Sequence, residues 1–305
     1  MFGSLTWSPT GGGKADIHEE EGWTLLPNAK LLTVDANNAF DLIHSELYDP
    51  ASGLRSSAGS TIVRLADNGP GSTFSHEIGP QVLRPDGTVF VAGGSGHTGI
   101  YDTKTGHWSV GPDFPVTASG QLQVADGAAA LLPNGNVLVV ASAGVFQPGS
   151  HFFEFDGRRW FKVASRPDAA SHSSFEFFTL ILPTGQILVN NENERNGAMV
   201  YNSGGGYHDD WVPVISSVPN TLVAGRSCTL KGERLNGLSQ GAAYGDDAQA
   251  ATNYPLVRIT NRATGHVFHA RTHDHRPSLT CHQASTPGPA VCVWSPMAFL
   301  QKRWM

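Results

Sequence analysis

Four short segments of this chain repeat one pattern, and this repetition limits the possible folds more than any other feature. Each segment has an apolar run, a turn that contains proline, and a second apolar run. The prolines are Pro27, Pro85, Pro133 and Pro183, which are 58, 48 and 50 residues apart. Proline fixes φ, Asn or Asp tolerates the left-handed region, and Gly supplies positive φ, so each turn predicts a β-hairpin. The flanking runs are almost wholly apolar, which is typical of strands covered on both faces.

A second hairpin pattern follows each of the first four. An aromatic residue leads into a turn rich in Asp, Asn and Gly, and a tryptophan returns on the next strand in three of the copies. Two hairpins in about 50 residues predict one four-stranded sheet, typical of a kelch-type propeller blade. The alternative is an unrelated β-sandwich with accidental repetition. We expect the aromatic residues to pack between blades rather than form a sugar-stacking face; they are Tyr48, Tyr101, Trp108, Trp160 and Trp211.

The pattern changes after Trp211. Residues 213–219 are predicted to be a linker, and 221–230, 256–260 and 266–270 to be strands of an immunoglobulin-like sandwich. Strand alternation stops after His275. The prediction is therefore a partial propeller at 1–213, an incomplete immunoglobulin-like domain at 214–276 and an atypical tail at 277–305. A frameshift near residue 276 is one explanation of the tail, and a divergent tail is the other.

The hairpins, together with Tyr244-Gly245-Asp246-Asp247-Ala248-Gln249 and the segment 253–259, resemble galactose oxidase-like and glyoxal oxidase-like kelch proteins. The resemblance covers about residues 14–275. It implies an all-β fold with a seven-bladed propeller followed by an "early set" immunoglobulin-like domain. About four blades are visible, so the chain is expected to be a truncated fragment. The resemblance also implies an extracellular protein, although this chain shows no signal peptide.

Oxidases of that family hold one copper ion with two tyrosines and two histidines, and oxidise an alcohol or aldehyde with O₂. The positions that the resemblance assigns to three of these ligands hold Phe175, Glu176 and Gln249 here. We therefore expect a non-catalytic binding or scaffold protein without a cofactor, whose partner is a carbohydrate, a cell surface or another protein. The alternative is a copper radical oxidase that lacks part of its chain.

Two other groups of residues are candidates for chemistry. His273 and His275 would share one face of a strand and could bind a metal, the alternative being solvated histidines at a sandwich edge. Asp246 and Asp247 are interpreted as turn-forming residues rather than Ca²⁺ ligands. The acidic run Glu19–Glu21 is expected to be a solvated loop.

Charge and composition exclude several other functions. The net charge is −6 and no basic face is evident, so we expect no nucleic-acid partner. No apolar run approaches the length of a membrane span. The three cysteines are Cys228, Cys281 and Cys292, which leaves the first 227 residues without a disulfide.

Overall fold

The chain is an all-β protein built from several small antiparallel sheets. The computed structural model describes residues 7, 9–38, 40–67, 75–182, 185–192, 197–203, 213–219, 227–233, 235, 242–244, 257–261, 263–273, 278–282 and 290–294. The first sheet holds β1 (Thr24–Leu25), β2 (Leu31–Val34), β3 (His44–Asp49) and β4 (Leu54–Ser60). The second holds β5 (Gln81–Leu83), β6 (Thr88–Ala92), β7 (Thr98–Asp102) and β8 (His107–Val110). In both sheets the strands neighbour one another in chain order.

The third and fourth sheets continue this arrangement. A small hairpin, β9 (Val116–Thr117) and β10 (Gly120–Gln121), comes first. The third sheet contains β11 (Ala128–Leu131), β12 (Val137–Ala141), β13 (His151–Phe155) and β14 (Trp160–Lys162). Two 3₁₀ helices, Ala169–Ser171 and Ser174–Glu176, precede the fourth sheet of β15 (Phe177–Ile181), β16 (Ile187–Asn191) and β17 (Met199–Tyr201). The strand predicted around Trp211 lies outside the described residues.

The last part of the chain contributes seven strands, six of which form a fifth sheet. The strands are β18 (Val214–Ser217), β19 (Ser227–Glu233), β20 (Ala242–Tyr244), β21 (Val257–Asn261), β22 (Val267–His273), β23 (Ser278–His282) and β24 (Ala290–Trp294). Six of them pair in the order β18-β19-β23-β22-β21-β24. The exception is β20, which pairs with β11 of the third sheet and also contacts β5 and β15. A segment from the last part of the chain therefore lies among the first strands of three earlier sheets.

The four predicted proline-turn hairpins are confirmed, and they share one turn geometry. In the second sheet the Arg84 amide donates to Thr88 O at 2.8 Å and the Gly87 amide donates to Arg84 O at 3.0 Å. Equivalent pairs of hydrogen bonds close the other three turns. The fourth turn residue has positive φ each time, at 65° in Ala29 and at 81–86° in Gly87, Gly135 and Gly185. Local turn chemistry therefore fixes the register of these hairpins.

Apolar residues fill the space between each sheet and the next. One core joins the first two sheets, a second joins sheets two and three, and a third joins sheets three and four. Alternate residues of a single strand serve different cores: Leu131 lies in the second core, whereas Ala130 and Leu132 lie in the third. Strands β11 and β12 are buried along their whole length. The nearly continuous apolar runs are explained by this burial on two faces.

The aromatic residues of two outer strands pack back onto the preceding sheet. Trp108 of β8 is 8% exposed, and its Nε1 donates to Ser45 Oγ of β3 at 2.9 Å. Trp160 of β14 stacks on Phe114 at 4.3 Å between ring centroids, and its Nε1 donates to Pro112 O at 3.1 Å. The expectation of packing between sheets is confirmed for these two residues. Tyr101 is also buried, against Trp108.

Two predictions for the last part of the chain are corrected. The sequence predicted a linker at 213–219, but Val214–Ser217 pairs with β19 as a strand. It also predicted no strands after His275, but β23 and β24 pair with β19, β22 and β21. Cross-strand partners distant in sequence supply the backbone hydrogen bonds here, so the local pattern was a poor guide. The hairpin predicted at 256–270 is confirmed by the pairing of β21 with β22.

Cys228 on β19 forms a disulfide. The chain has three cysteines, so a single intrachain disulfide leaves one thiol. We predict that the unfolded, unreduced protein titrates one thiol and the reduced protein three. Thiol titration in denaturant measures both numbers.

The matched variant is Cys228→Ser, which should titrate two thiols both before and after reduction. Three thiols in the unreduced wild-type protein would contradict the disulfide.

Candidate functional site

Three buried carboxylates, those of Glu21, Asp35 and Glu77, lie at one end of the four sheets. Because the strands are antiparallel, the segments that lead into the first strands lie at the same end as the loops that follow the second strands. We call this end the rim. It consists of the lead-in segments 9–23, 75–80, 122–127 and 172–176 and the loops 35–43, 93–97 and 142–150.

Each lead-in segment touches the end of the second strand in the preceding sheet. His76 Nδ1 lies 3.3 Å from Ala36 O, which follows β2. The Val124 amide donates to Gly93 O, which follows β6, at 3.1 Å. The Ser174 amide donates to Ser142 Oγ, which follows β12, at 3.3 Å. A polar contact at the same place in the fold is thus made three times, and it holds each of these lead-in segments against the preceding sheet.

Three carboxylates from three lead-in segments converge at the rim. Glu20 precedes β1, Glu77 precedes β5 and Asp126 precedes β11. One oxygen of each lies within 4.8 Å of the others. The Asp126 amide donates to Ile78 O at 3.2 Å, which holds the second and third lead-in segments against each other. We call these three residues the carboxylate triad.

Glu77 is the buried member of the carboxylate triad. Its side chain belongs to a residue that is 6% exposed, and its Oε2 receives no hydrogen bond from any described residue. Burial, followed by the neighbouring carboxylates of Asp126 and Glu20, raises the pKa of Glu77 from 4.5 to about 10. Without a bound cation, Glu77 is therefore protonated at neutral pH.

The backbone of the rim adopts left-handed conformations next to the carboxylate triad. The φ angles are 56° at Glu20, 60° at His76 and 51° at Asp126. Residues other than Gly, Asn, Asp and His rarely adopt this region, and Glu20 is one of them. Such conformations persist where the surrounding contacts determine them, and they concentrate at functional sites.

The sequence repeat contained a signal for the carboxylate triad that the sequence analysis missed. Glu20 and Asp126 each lie seven residues before the proline of their hairpin, and Glu77 lies eight before. Glu176 lies seven residues before Pro183 in the fourth repeat. Aligning the repeats on their prolines would have placed an acidic residue one to four positions before every first strand.

A second cluster surrounds Lys14, and we call it the lysine cage. Lys14 Nζ contacts the Asp16 carboxylate and lies 2.7 Å from Glu21 Oε2, 3.2 Å from Asp35 Oδ1 and 3.7 Å from Glu46 Oε2. All five side chains are 5% exposed or less. The carboxylates also receive backbone and ring donors, from the amides of 15 and 37 and from Trp23 Nε1. His44 Nδ1 lies 2.5 Å from Asp35 Oδ2.

The expectation that the acidic run Glu19–Glu21 is a solvated loop is wrong for Glu21. Glu21 is 5% exposed because Lys14, His18 and Trp23 surround its carboxylate. Its neighbour Glu20 joins the carboxylate triad instead. Two adjacent glutamates therefore belong to two different clusters. The run of acidic residues in the sequence does not indicate this division.

The metal pair predicted from the sequence is not tested by the described residues. His273 ends β22, opposite Thr280 of β23, and His275 lies outside the described residues. Asp246, Asp247 and Gln249 lie outside them as well.

Two of the residues at the positions assigned to copper ligands, Phe175 and Glu176, do not fit copper. Phe175 has no ligand atom, and its ring packs on Phe146 at 5.0 Å. Glu176 Oε1 accepts a hydrogen bond from the Ser173 amide at 2.9 Å, and its Oε2 lies 2.5 Å from His172 Nδ1. Glu176 thus caps the 3₁₀ helix before β15, and its carboxylate is already occupied by protein donors.

No model of a known protein family matches the chain, and no curated protein matches it. Within the described part of the chain, no helix combines the length and apolar character needed to cross a membrane.

Replacing Lys14 tests the lysine cage. Lys14→Met removes the cation from among four buried carboxylates, so we expect a loss of about 3–5 kcal/mol in the free energy of unfolding. Denaturant unfolding measures this loss. The matched control is Lys104→Met, because Lys104 lies exposed in a turn. An equally small effect of both substitutions would contradict the cage as a structural element.

Replacing Glu77 tests the carboxylate triad in metal-free protein. Glu77 keeps its proton in the fold and loses it in the unfolded chain, so its contribution to stability is complete below pH 4.5 and declines towards pH 10. Glu77→Gln keeps the shape and cannot ionise. We therefore expect the melting temperature of the variant to exceed that of wild type increasingly as pH rises through this window.

Melting curves at several pH values in EDTA measure the difference between the two proteins. Asp41→Asn removes an exposed carboxylate and should show no such trend. A constant difference between wild type and Glu77→Gln across the window would contradict the raised pKa.

Proposed function

We propose that this chain is a non-catalytic binding or scaffold protein of the galactose oxidase-like kelch type, with four propeller blades and an early-set immunoglobulin-like part. The ligand would be a carbohydrate, a cell-surface component or a protein. The observation that carries the non-catalytic part of the proposal is the arrangement of Phe175 and Glu176, which offers copper no free ligand atom.

The sheet arrangement supports the propeller. Four consecutive antiparallel sheets share three cores in chain order, and contacts join β1 to β5, β5 to β11 and β11 to β15. Gln81 Nε2 donates to Gly22 O at 3.0 Å, and Thr179 Oγ1 donates to Ala129 O at 3.0 Å. Radial repetition of four-stranded sheets around their first strands has these contacts.

The disulfide at Cys228 supports an extracellular location. Disulfides form and persist in oxidising compartments and are rare in the cytosol of most organisms. The resemblance implies the same location.

The rim offers the best binding surface on the described chain. Phe40, in the loop after β2, is 103% exposed, and Phe146, in the loop after β12, is 51% exposed. Trp23, just before β1, is also exposed. Exposed aromatic rings beside hydrogen-bonding carboxylates suit sugar rings, which present an apolar face and polar edges.

A panel of labelled polysaccharides tests this binding. We expect at least one to bind wild type, and Phe146→Ala to weaken that binding about tenfold or more, because an aromatic contact is removed. The matched control is Phe161→Ala, which removes an exposed ring from the outer strand β14. Copper-treated protein should produce no peroxide from alcohols or aldehydes.

Peroxide formation dependent on copper would contradict a non-catalytic role. Polysaccharide binding that is unchanged in Phe146→Ala but lost in Phe161→Ala would contradict binding at the rim and indicate a binding surface on the outer strand β14.

A further inference from the structure

We infer that the carboxylate triad of Glu20, Glu77 and Asp126 is a binding site for a hard divalent cation, with Ca²⁺ as the best fit. This site is separate from the positions that the resemblance assigns to copper. It does not depend on which ligand the rim binds.

The separation of the oxygens suits Ca²⁺. Calcium–oxygen distances are about 2.4 Å, so two oxygens on opposite sides of one ion are about 4.8 Å apart. One oxygen of each triad residue lies within 4.8 Å of the others, so all three can belong to one coordination shell. Magnesium requires oxygens at about 2.1 Å in a stricter octahedron and gives up its water reluctantly, so it is less suited than Ca²⁺ to a site made of protein carboxylates.

Glu77 supplies an independent observation that points to a ligand. Glu77 is 94% buried, since 6% of it is exposed, and its carboxyl lies against those of Asp126 and Glu20. Its Oε2 has no hydrogen-bond donor among the described residues. A buried polar atom without a partner is costly to the fold, and most such atoms in proteins are satisfied by protein, water or an ion. A cation between the carboxylates would satisfy it.

The lysine cage provides an internal comparison. There the carboxylates of Asp16, Asp35 and Glu46 also form a three-oxygen cluster, but Lys14 Nζ lies among them. In the carboxylate triad, no lysine, arginine or histidine of the described chain bonds to the Glu77 side chain. Lys14 therefore supplies the cation of one acidic cluster, whereas a cation at the Glu77 carboxylate would come from solution.

The chemistry of the triad favours a hard ion over copper or zinc. All three groups are carboxylates, and oxygen donors select Ca²⁺, Mg²⁺ or Mn²⁺, whereas copper and zinc prefer nitrogen and sulfur. The triad joins the lead-in segments of three successive sheets. A bound ion would therefore cross-link these sheets at the rim and stabilise the fold when present.

Calorimetric titration of the EDTA-treated full chain with CaCl₂ tests the site. We expect one Ca²⁺ per chain, with half-saturation at or below about 1 mM, the range of extracellular calcium modules. We also expect the melting temperature to rise with added Ca²⁺. Mg²⁺ should bind at least tenfold more weakly.

Four variants separate the possible outcomes. Glu77→Gln and the more exposed Glu20→Gln should each weaken Ca²⁺ binding at least tenfold, and Glu20→Gln guards against a folding defect in the buried variant. Asp113→Asn, an exposed charge control, should bind Ca²⁺ like wild type. The inference is overturned if wild type takes up no Ca²⁺ at about 1 mM, if both triad variants bind like wild type, or if Asp16→Asn alone abolishes binding, which would place the ion in the lysine cage.

Discussion

The structure depends on strands that must be covered on both faces. Strands β11 and β12 are buried along their full length, and their alternate residues enter two different cores. A single sheet cannot satisfy such strands, so a second sheet has to pack on each side. The three cores in chain order are the result. This constraint aligns the sheets, and the alignment in turn gathers their lead-in segments at one end.

Acidic side chains gather at that end of the sheets, because the space between the sheets is filled by apolar residues. The bond from the Asp126 amide to Ile78 O holds two neighbouring lead-in segments together, and the bond from the Val124 amide to Gly93 O holds a lead-in segment against the loop after β6. Acidic side chains on those segments then face one another rather than water. The lysine cage places one ammonium among four carboxylates, whereas in the carboxylate triad burial and the neighbouring carboxylates raise the pKa of Glu77, which lowers the charge of the cluster. The two clusters thus solve the same electrostatic problem in two ways.

Local features of the sequence predicted the local features of the fold. Gly87 and Gly135 specify hairpin turns through their own backbone freedom, so the repeats could be recognised without a structure. The burial of Glu21 could not be predicted in this way, because it depends on Lys14 and on strands far along the chain. The pairing of β20 with β11 joins residues more than a hundred positions apart, and no periodicity encodes it. The carboxylate triad is predictable only in part. The spacing of its residues from the prolines can be seen in the sequence, but the meeting of the three carboxylates in space cannot.

The position of β20 has a consequence for the integrity of the molecule. Its backbone covers the edge of β11 that faces the other first strands. A protease cut between β17 and β18 would therefore not release two self-sufficient pieces. The N-terminal piece, once separated from β20, would present the open edge of a fully apolar strand, and such an edge is a template for association with other chains.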